Sequence, residues 1–337
     1  SSDLGRDRGS KVRLSPELVP WGLRFLAQCT NAKARRNTLA VLELALRSAE
    51  LMEELQETLP FEFAHRNAGK LVLLSSSEEL EAAKTSSAMK QQRGCDAQVL
   101  TREEAIAVDP AIGNMSDEVI AAVYSASDDV ADSQLFTSRL TEWLDSQDAA
   151  EFRLSSQARQ LVEHKGRVRG VVVDGDELEA DAVVVCLGAW AQDFLQAAGI
   201  NPHIVPVRGY SITLPPGSSA PDVSVTALKY KMVYSRLNGA TRIAGFADFT
   251  GFDTSADDER IRLLSNMARE FAPQAADYDS SDATAWGGFR PMTPDGRPLV
   301  GATKVPGLYV NVGHGMLGWT LACATAHDAA HAVANVH

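Results

Sequence analysis

The chain has 337 residues, 45% of them hydrophobic and 23% charged, which calls for two domains or one large α/β domain and argues against wholesale disorder. Asp and Glu number 44 against 32 Lys and Arg, and a net charge of −12 repels phosphate backbones, so nucleic acid is not expected as a partner. Four scattered cysteines (Cys29, Cys95, Cys186, Cys323) form no C-x-x-C pair, so neither a metal site nor a disulfide framework is expected, and a reducing, cytoplasmic compartment is.

Taken in order, Ser1–Arg13 is polar, lacks the apolar stretch of a secretory signal, and reads as a loose tail. Ser15-Pro16-Glu17 fits an N-cap followed by proline at the first helical position. Leu39, Leu42, Leu46 and Ala49 recur at helical spacing within a long helix from about Asn31 to Glu57, which Pro60 closes. Gly69–Leu74 reads as a strand. Ser76-x-x-Glu79 and Thr101-x-x-Glu104 fit capping boxes that open two further helices. Val119–Tyr124 is a strand, and Asp132 begins a helix carrying Leu135, Leu140 and Trp143.

From Ala158 the pattern turns to β. Arg159–His164, Val168–Val173 and Glu177–Ala180 are separated by the hairpin turns Lys165-Gly166 and Asp174-Gly175. Ala182–Leu187 is apolar on consecutive positions, so it is expected in the middle of a parallel sheet, and it runs into Gly188-Ala189-Trp190 and a helix. No apolar run reaches the ~18 residues of a membrane span. Tyr210–Leu214, Lys231–Arg236 and Thr241–Gly245 are candidate strands, and Asp257–Phe271 is helical. Pro294-Asp295-Gly296 is a turn, Leu308–Val312 a buried strand, and Met316–Val333 an Ala-rich helix.

Gly313-His314-Gly315-Met316-Leu317-Gly318 matches G-x-G-x-x-G between a strand and a helix. A dinucleotide fingerprint also needs a second strand and an acidic residue ~20 positions on. Here the sequence stays helical to its end, so the match alone does not make a dinucleotide site. Glycines at a strand-to-helix turn let a ligand approach the N–H groups of a helix N-terminus. They serve a plain tight turn equally well.

Trp286-Gly-Gly-Phe-Arg290-Pro-Met-Thr-Pro-Asp-Gly-Arg-Pro298, Val300-Gly301 and Leu308–Cys323 together closely resemble the C-terminal part of FAD-dependent D-amino-acid dehydrogenases, within the D-amino-acid oxidase and glycine oxidase superfamily. Val207-Arg-Gly-Tyr-Ser211, Asp132–Thr137 and the meander ending in Ala182–Trp190 resemble further segments of that family in the same order. The resemblance runs from about residue 11 to 333, tightly in the final block and loosely in the first half. It implies an α/β fold with α+β character, in which a flavin-binding, Rossmann-like remnant adjoins an antiparallel substrate sheet. The expected division is a polar tail over 1–14, helices and part of the substrate domain over 15–150, and a flavin-domain meander and βα unit over 151–203. Substrate domain then fills 204–283, and the flavin domain's last strand and helix fill 284–337. The strand–G-x-G-x-x-G–helix–strand unit that opens these flavoproteins is not matched, so a fragment with weak, non-covalent FAD binding is expected.

The resemblance further implies oxidation of a D-amino acid at Cα, with a hydride passing to flavin N5 and water releasing a 2-oxo acid and ammonia. Arg290 matches the carboxylate-binding arginine, whose planar fork suits a carboxylate better than lysine would. Gly313, His314, Gly315, Met316, Leu317 and Gly318 match the segment that meets the isoalloxazine ring, and Gly188 a further cofactor contact. Tyr210, Tyr230 and Tyr234 are candidate substrate contacts, though strand tyrosines are as often core. Two other readings stay open: an oxidoreductase for glycine, sarcosine or hydroxyproline, and a non-catalytic relative acting as a binding or subunit partner. The electron acceptor is left open, as is peripheral contact with the inner face of a membrane.

Overall fold

The computed structural model describes residues 10–148, 150–255 and 257–335. Residues 11–13 are not loose. Val12 bridges Phe249, and the Arg13 N–H donates to the Phe249 carbonyl at 2.8 Å. The remainder of the expected tail, residues 1–9, lies outside the described residues. Helix α1 (Leu18–Leu26) starts later than the Ser-Pro pair suggests, with Ser15 Oγ accepting from the Leu18 N–H at 3.2 Å. Its Trp21 is buried and donates through Nε1 to the Met292 carbonyl at 3.0 Å, while Val19, Leu23 and Leu26 face solvent. Helix α2 (Asn31–Thr58) follows the periodic leucines and ends before Pro60, which cannot continue a helix.

Strands β1 (Arg66–Asn67) and β2 (Lys70–Leu74) lead into α3 (Ser77–Gln91), then β3 (Gln98–Thr101) and α4 (Arg102–Val108). The Thr101 capping box forms in full, its hydroxyl and the Glu104 carboxylate each accepting a backbone N–H. At Ser76 the hydroxyl caps the Glu79 N–H, but the Glu79 carboxylate reaches the N–H of Ser75 instead. Next come β4 (Ala121–Ser125), β5 (Asp129–Val130) and α5 (Ser133–Ser146), the last capped by Asp132 as expected.

The β-meander is β6 (Ala158–His164), β7 (Arg167–Val173) and β8 (Asp176–Glu179). Both its turns place two consecutive residues at positive φ (Lys165 and Gly166, Asp174 and Gly175), the backbone that matches the strand twist. Strand β9 (Val183–Val185) runs through a single turn of 3-10 helix, Gly188–Trp190, into α6 (Ala191–Ala197). Then follow β10 (Val205–Leu214), β11 (Ser224–Ala227), β12 (Met232–Leu237), β13 (Ala240–Asp248) and α7 (Asp257–Phe271). The chain continues with β14 (Thr284–Met292), β15 (Leu299–Ala302), β16 (Leu308–Val312) and α8 (Gly318–Ala334).

Two layers organise these elements. An eight-stranded sheet in the order β14-β10-β13-β12-β11-β2-β4-β3 is antiparallel except between β11 and β2. Its inner face buries Leu71, Leu73, Tyr210, Ile212, Val225, Met232, Tyr234 and Ile243 against Leu264, Met267 and Phe271 of α7. Each such side chain contributes ~1.5–3 kcal/mol by leaving water, so this core dominates the stability of the layer. Strands β2, β3 and β4 thus share one sheet with β10 to β13. Strand β14 joins them, although residues 284–337 were expected to belong wholly to the flavin-binding part. Its nine-residue register with β10 decides the matter.

The second layer is the sheet β15-β16-β9 beside the meander, and Val168, Val185, Leu195, Leu308, Val310 and Val312 form their common core. The expectation that Ala182–Leu187 lies mid-sheet is corrected: among the described residues β9 pairs only with β16 and forms the edge. Val184 is 40% exposed and Leu187 36%. Consecutive apolar residues signal two faces that favour cover, but they do not supply a second hydrogen-bonding neighbour.

Candidate active site

Side chains alternate across a strand, so the register of the large sheet sorts every candidate by face. Arg290 pairs with Val207, Gly288 with Gly209 and Trp286 with Ser211, which places Arg290, Gly288 and Trp286 on the face opposite α7. Along β11, β12 and β13, Thr226, Val233, Ser235 and Arg242 occupy the same face. All four are half-buried, whereas the α7 face is closed. A sheet surface of small and polar residues that carries the guanidiniums of Arg290 and Arg242 suits a polar ligand rather than a packed layer.

Arg290 is largely withdrawn from solvent. Burial lowers its pKa, and the charge of Asp248 works in the opposite direction. Its Nη1 donates to the Phe246 carbonyl at 2.6 Å. Among the described residues no carboxylate lies within ion-pair distance of it, so the fork is held by a neutral carbonyl and keeps its charge for a ligand.

The turn from β16 into α8 reaches the same place. Gly315 N–H donates to the Pro291 carbonyl at 3.0 Å, and His314 bridges Met292, so the turn is fastened to the end of the strand that carries Arg290. Gly313 and Gly315 adopt φ of +82° and +56°, where a side chain is strained. A Cβ at Gly315 would also meet Met292 Sδ at 2.9 Å. Leu317 precedes α8 with no side-chain cap on its first N–H groups, and Met316 is exposed. The positive end of a 17-residue helix therefore opens beside the turn. His314 turns the other way: its Nε2 meets Thr325 Oγ1 at 3.1 Å, and burial lowers its pKa, favouring the neutral ring. Of the turn, backbone is what faces outward at His314.

Gly188 belongs to the same end of the molecule. Strands β9 and β16 run parallel with Val185 opposite Val310, so Gly188 and Gly313 leave the carboxyl ends of neighbouring strands. That edge is where open parallel sheets bind ligands. Gly188 has φ +54° with open space where a Cβ would lie, and the following 3-10 turn packs against β14 and β10.

The tyrosines do not join this site. Tyr210 and Tyr234 lie on the α7 face, with hydroxyls on Asp248 (3.0 Å) and the Ala268 carbonyl (3.1 Å). Tyr230 packs on Phe271 and donates to Glu118 at 2.6 Å; burial and then that hydrogen bond push its pKa up to about 12. All three are satisfied within the protein, and the two strand tyrosines are fully buried. Periodicity within β10 would have sorted Tyr210 from its neighbours, but only with the buried face known. Sequence reading also passed over Gly209, Phe246 and Trp286, which surround Arg290 and its face. Phe246 has φ +62°, unusual for an aromatic residue, and no sequence signal marks it.

The FAD dependent oxidoreductase family matches residues 19–332. D-amino acid dehydrogenase 2 of Ralstonia nicotianae is 37% identical over 334 residues, covering 95% of this chain and 78% of that one. A D-amino acid dehydrogenase of Vibrio vulnificus is 33% identical over 94% of this chain and 76% of its own. Among solved structures, glycine oxidase from Geobacillus kaustophilus superposes with a TM-score of 0.77 at 23% identity, covering 87% of this chain and 79% of that one. L-proline dehydrogenase from P. horikoshii gives 0.74 at 22% identity, covering 87% and 78%. The two structures share the fold, and the family match spans nearly the whole chain. The chain belongs to the FAD-dependent oxidoreductase family typified by D-amino-acid oxidase.

Proposed function

We propose that the protein oxidatively deaminates D-amino acids, with Arg290 as the clamp for the substrate carboxylate. The observation that carries this reading is the unpaired guanidinium of Arg290 beside the glycine turn that opens α8. FAD, which the family implies, fits that turn: the uncapped N-terminal end of α8 favours negative charge, and the exposed Met316 leaves the turn open on its outer side. When bound, FAD supplies the hydride acceptor. Arg290 fixes the carboxylate and so fixes Cα; neutral His314 leaves the backbone of its turn free to face the ring. Relatives named D-amino acid dehydrogenase support the D-configured substrate.

The described residues carry one G-x-G-x-x-G turn, read here as the flavin end, so no matching turn remains for the adenosine half. This 337-residue chain is therefore expected to bind FAD weakly, and calorimetry measures it directly. At saturating FAD, D-alanine should yield a 2-oxo acid that L-alanine does not yield, with an artificial dye as electron acceptor. Tight stoichiometric binding would mean that the turn holds the pyrophosphate. Absence of D-alanine turnover together with turnover of glycine or sarcosine would move the protein to the other amine oxidoreductases.

A second observation favours contact with an anionic lipid surface, at the cytoplasmic face of a membrane. Residues 11–36 hold Lys11, Arg13, Arg24, Lys33, Arg35 and Arg36 against Glu17 alone, in a chain of net charge −12. Within that stretch Leu14, Val19, Leu23 and Leu26 are exposed. A short apolar helix face in a stretch rich in cations suits the headgroup region of an anionic bilayer, although Lys11 and Arg13 are paired with Glu259 and Asp253. Among the described residues no helix is long and apolar enough to span one. Flotation with vesicles containing phosphatidylglycerol, lost in Leu23→Glu, is the expected result; equal flotation of both proteins would remove α1 from the contact.

A further inference from the structure

Gly209 sits directly beneath the guanidinium of Arg290. A Cβ built on it would lie 2.5 Å from Arg290 Cζ and Nη2 and 2.7 Å from Nη1. Its backbone is not in the left-handed region, so nothing in φ calls for glycine here. What the position requires is the missing side chain.

The partner strand is shaped to match. Between the pairs Tyr210↔Gly245 and Arg208↔Asp248, β10 contributes one residue, Gly209, and β13 contributes two, Phe246 and Ala247. This is a bulge, and bulges re-aim the groups at their centre. Phe246 takes up the extra residue at φ +62°, and its carbonyl accepts the Arg290 Nη1 hydrogen bond. A flat guanidinium thus lies on bare backbone and is pinned along one edge by a carbonyl.

We propose that Gly209 is a positioning residue for substrate recognition: its absent side chain and the Phe246 bulge form the slot that orients the Arg290 fork toward the substrate carboxylate. The inference rests on the reading of Arg290 as the carboxylate clamp, and goes beyond it by assigning the geometry of the clamp to a residue that touches no ligand. Because the clash is with the end of a flexible side chain, a methyl group at 209 should displace the guanidinium and leave the strand intact.

The opposite face supplies a matched control. A Cβ at Gly287 would lie 2.5 Å from Arg208 Nη2, but Arg208 is paired with Asp257 and faces α7. Gly287→Ala therefore inserts the same methyl against a different guanidinium, away from the site.

Steady-state kinetics of FAD-loaded protein and calorimetry with propionate, a carboxylate that cannot be deaminated, test the inference together. Gly209→Ala should raise KM for the D-amino acid roughly tenfold or more, because a displaced clamp loses both hydrogen bonds of the fork. It should weaken propionate by a similar factor, change kcat less, and leave flavin content unchanged. Gly287→Ala should do none of this. In the double variant Gly209→Ala/Arg290→Ala the losses should not multiply, since both act through one side chain. Should Gly209→Ala itself unfold, the double variant should regain the urea midpoint of Arg290→Ala, because the methyl then fills vacated space; failure to do so overturns the slot. An impaired Arg290→Ala beside a normal Gly209→Ala, or losses that multiply, refutes the role of Gly209 while leaving the clamp standing. A normal Arg290→Ala refutes both.

Discussion

Arg290→Ala is expected to lower kcat/KM for D-amino acids by roughly ten- to a hundred-fold, which corresponds to the ~1.5–3 kcal/mol of a hydrogen bond to a charged group. The guanidinium is desolvated already in the free protein, so its interaction with a carboxylate is less screened than at an open surface. Arg290→Lys should recover only part of the loss. Lysine keeps the charge, but a point donor cannot both hold the Phe246 carbonyl and present two parallel N–H groups. Flavin content should not change in either variant, because Arg290 reaches the site from β14 whereas the proposed cofactor contacts lie on the turn and α8. An Arg290→Ala protein with normal kinetics would remove this residue from the site and with it the proposed orientation of the substrate.

The residues of this site were legible in the sequence to different degrees, and for physical reasons. Arg290 and Gly313–Gly318 could be named in advance because the contiguous stretches that hold them resemble the C-terminal part of FAD-dependent D-amino-acid dehydrogenases; the G-x-G-x-x-G spacing alone gave Gly313–Gly318 no role. Gly188 was named from the meander ending in Ala182–Trp190, which resembles a further segment of that family. Tyr210 and Tyr234 were drawn from the right sheet and the wrong face, and Tyr230 lies in the turn between β11 and β12. A ten-residue strand such as β10 presents its side chains alternately to two surfaces, and which surface is core depends on α7, more than forty residues away. The bulge at Phe246 was invisible for a related reason. It exists only in the register between two strands, and no residue type announces it. The edge position of β9 was misjudged because apolar content reports burial of faces and is silent on neighbours. Local signals fared best: caps at Thr101 and Asp132 and both turns of the meander stand where the sequence puts them.

Asp248→Ala is expected to cost ~3–5 kcal/mol of folding stability, the range for removing one partner of a buried ion pair. Asp248 and Arg260 are each 1% exposed, joined by Arg260 Nη2 to Oδ1 and Nε to Oδ2, both at 2.8 Å. The same carboxylate accepts from the Tyr210 hydroxyl at 3.0 Å and from the Lys11 N–H at 2.7 Å. Burial, then Asp248, raise the Tyr210 pKa, so the phenol stays a donor throughout the neutral range. Alanine would leave these donors around a void from which water is largely excluded, and that desolvation is the main source of the loss. Exposed pairs such as Arg139 with Glu142 lack it and should shift stability by less than about 1 kcal/mol. Against a total of ~5–15 kcal/mol for an ordinary domain, the Asp248 loss is large enough to lower the urea midpoint visibly without changing the slope. Asp248→Asn should fall between, since it keeps the shape and one acceptor but not the charge. The effect should also reach the site, because Asp248 ends the strand whose bulge holds Arg290. A midpoint shift in Asp248→Ala no larger than that of a surface pair would mean the Arg260 charge finds equivalent compensation elsewhere.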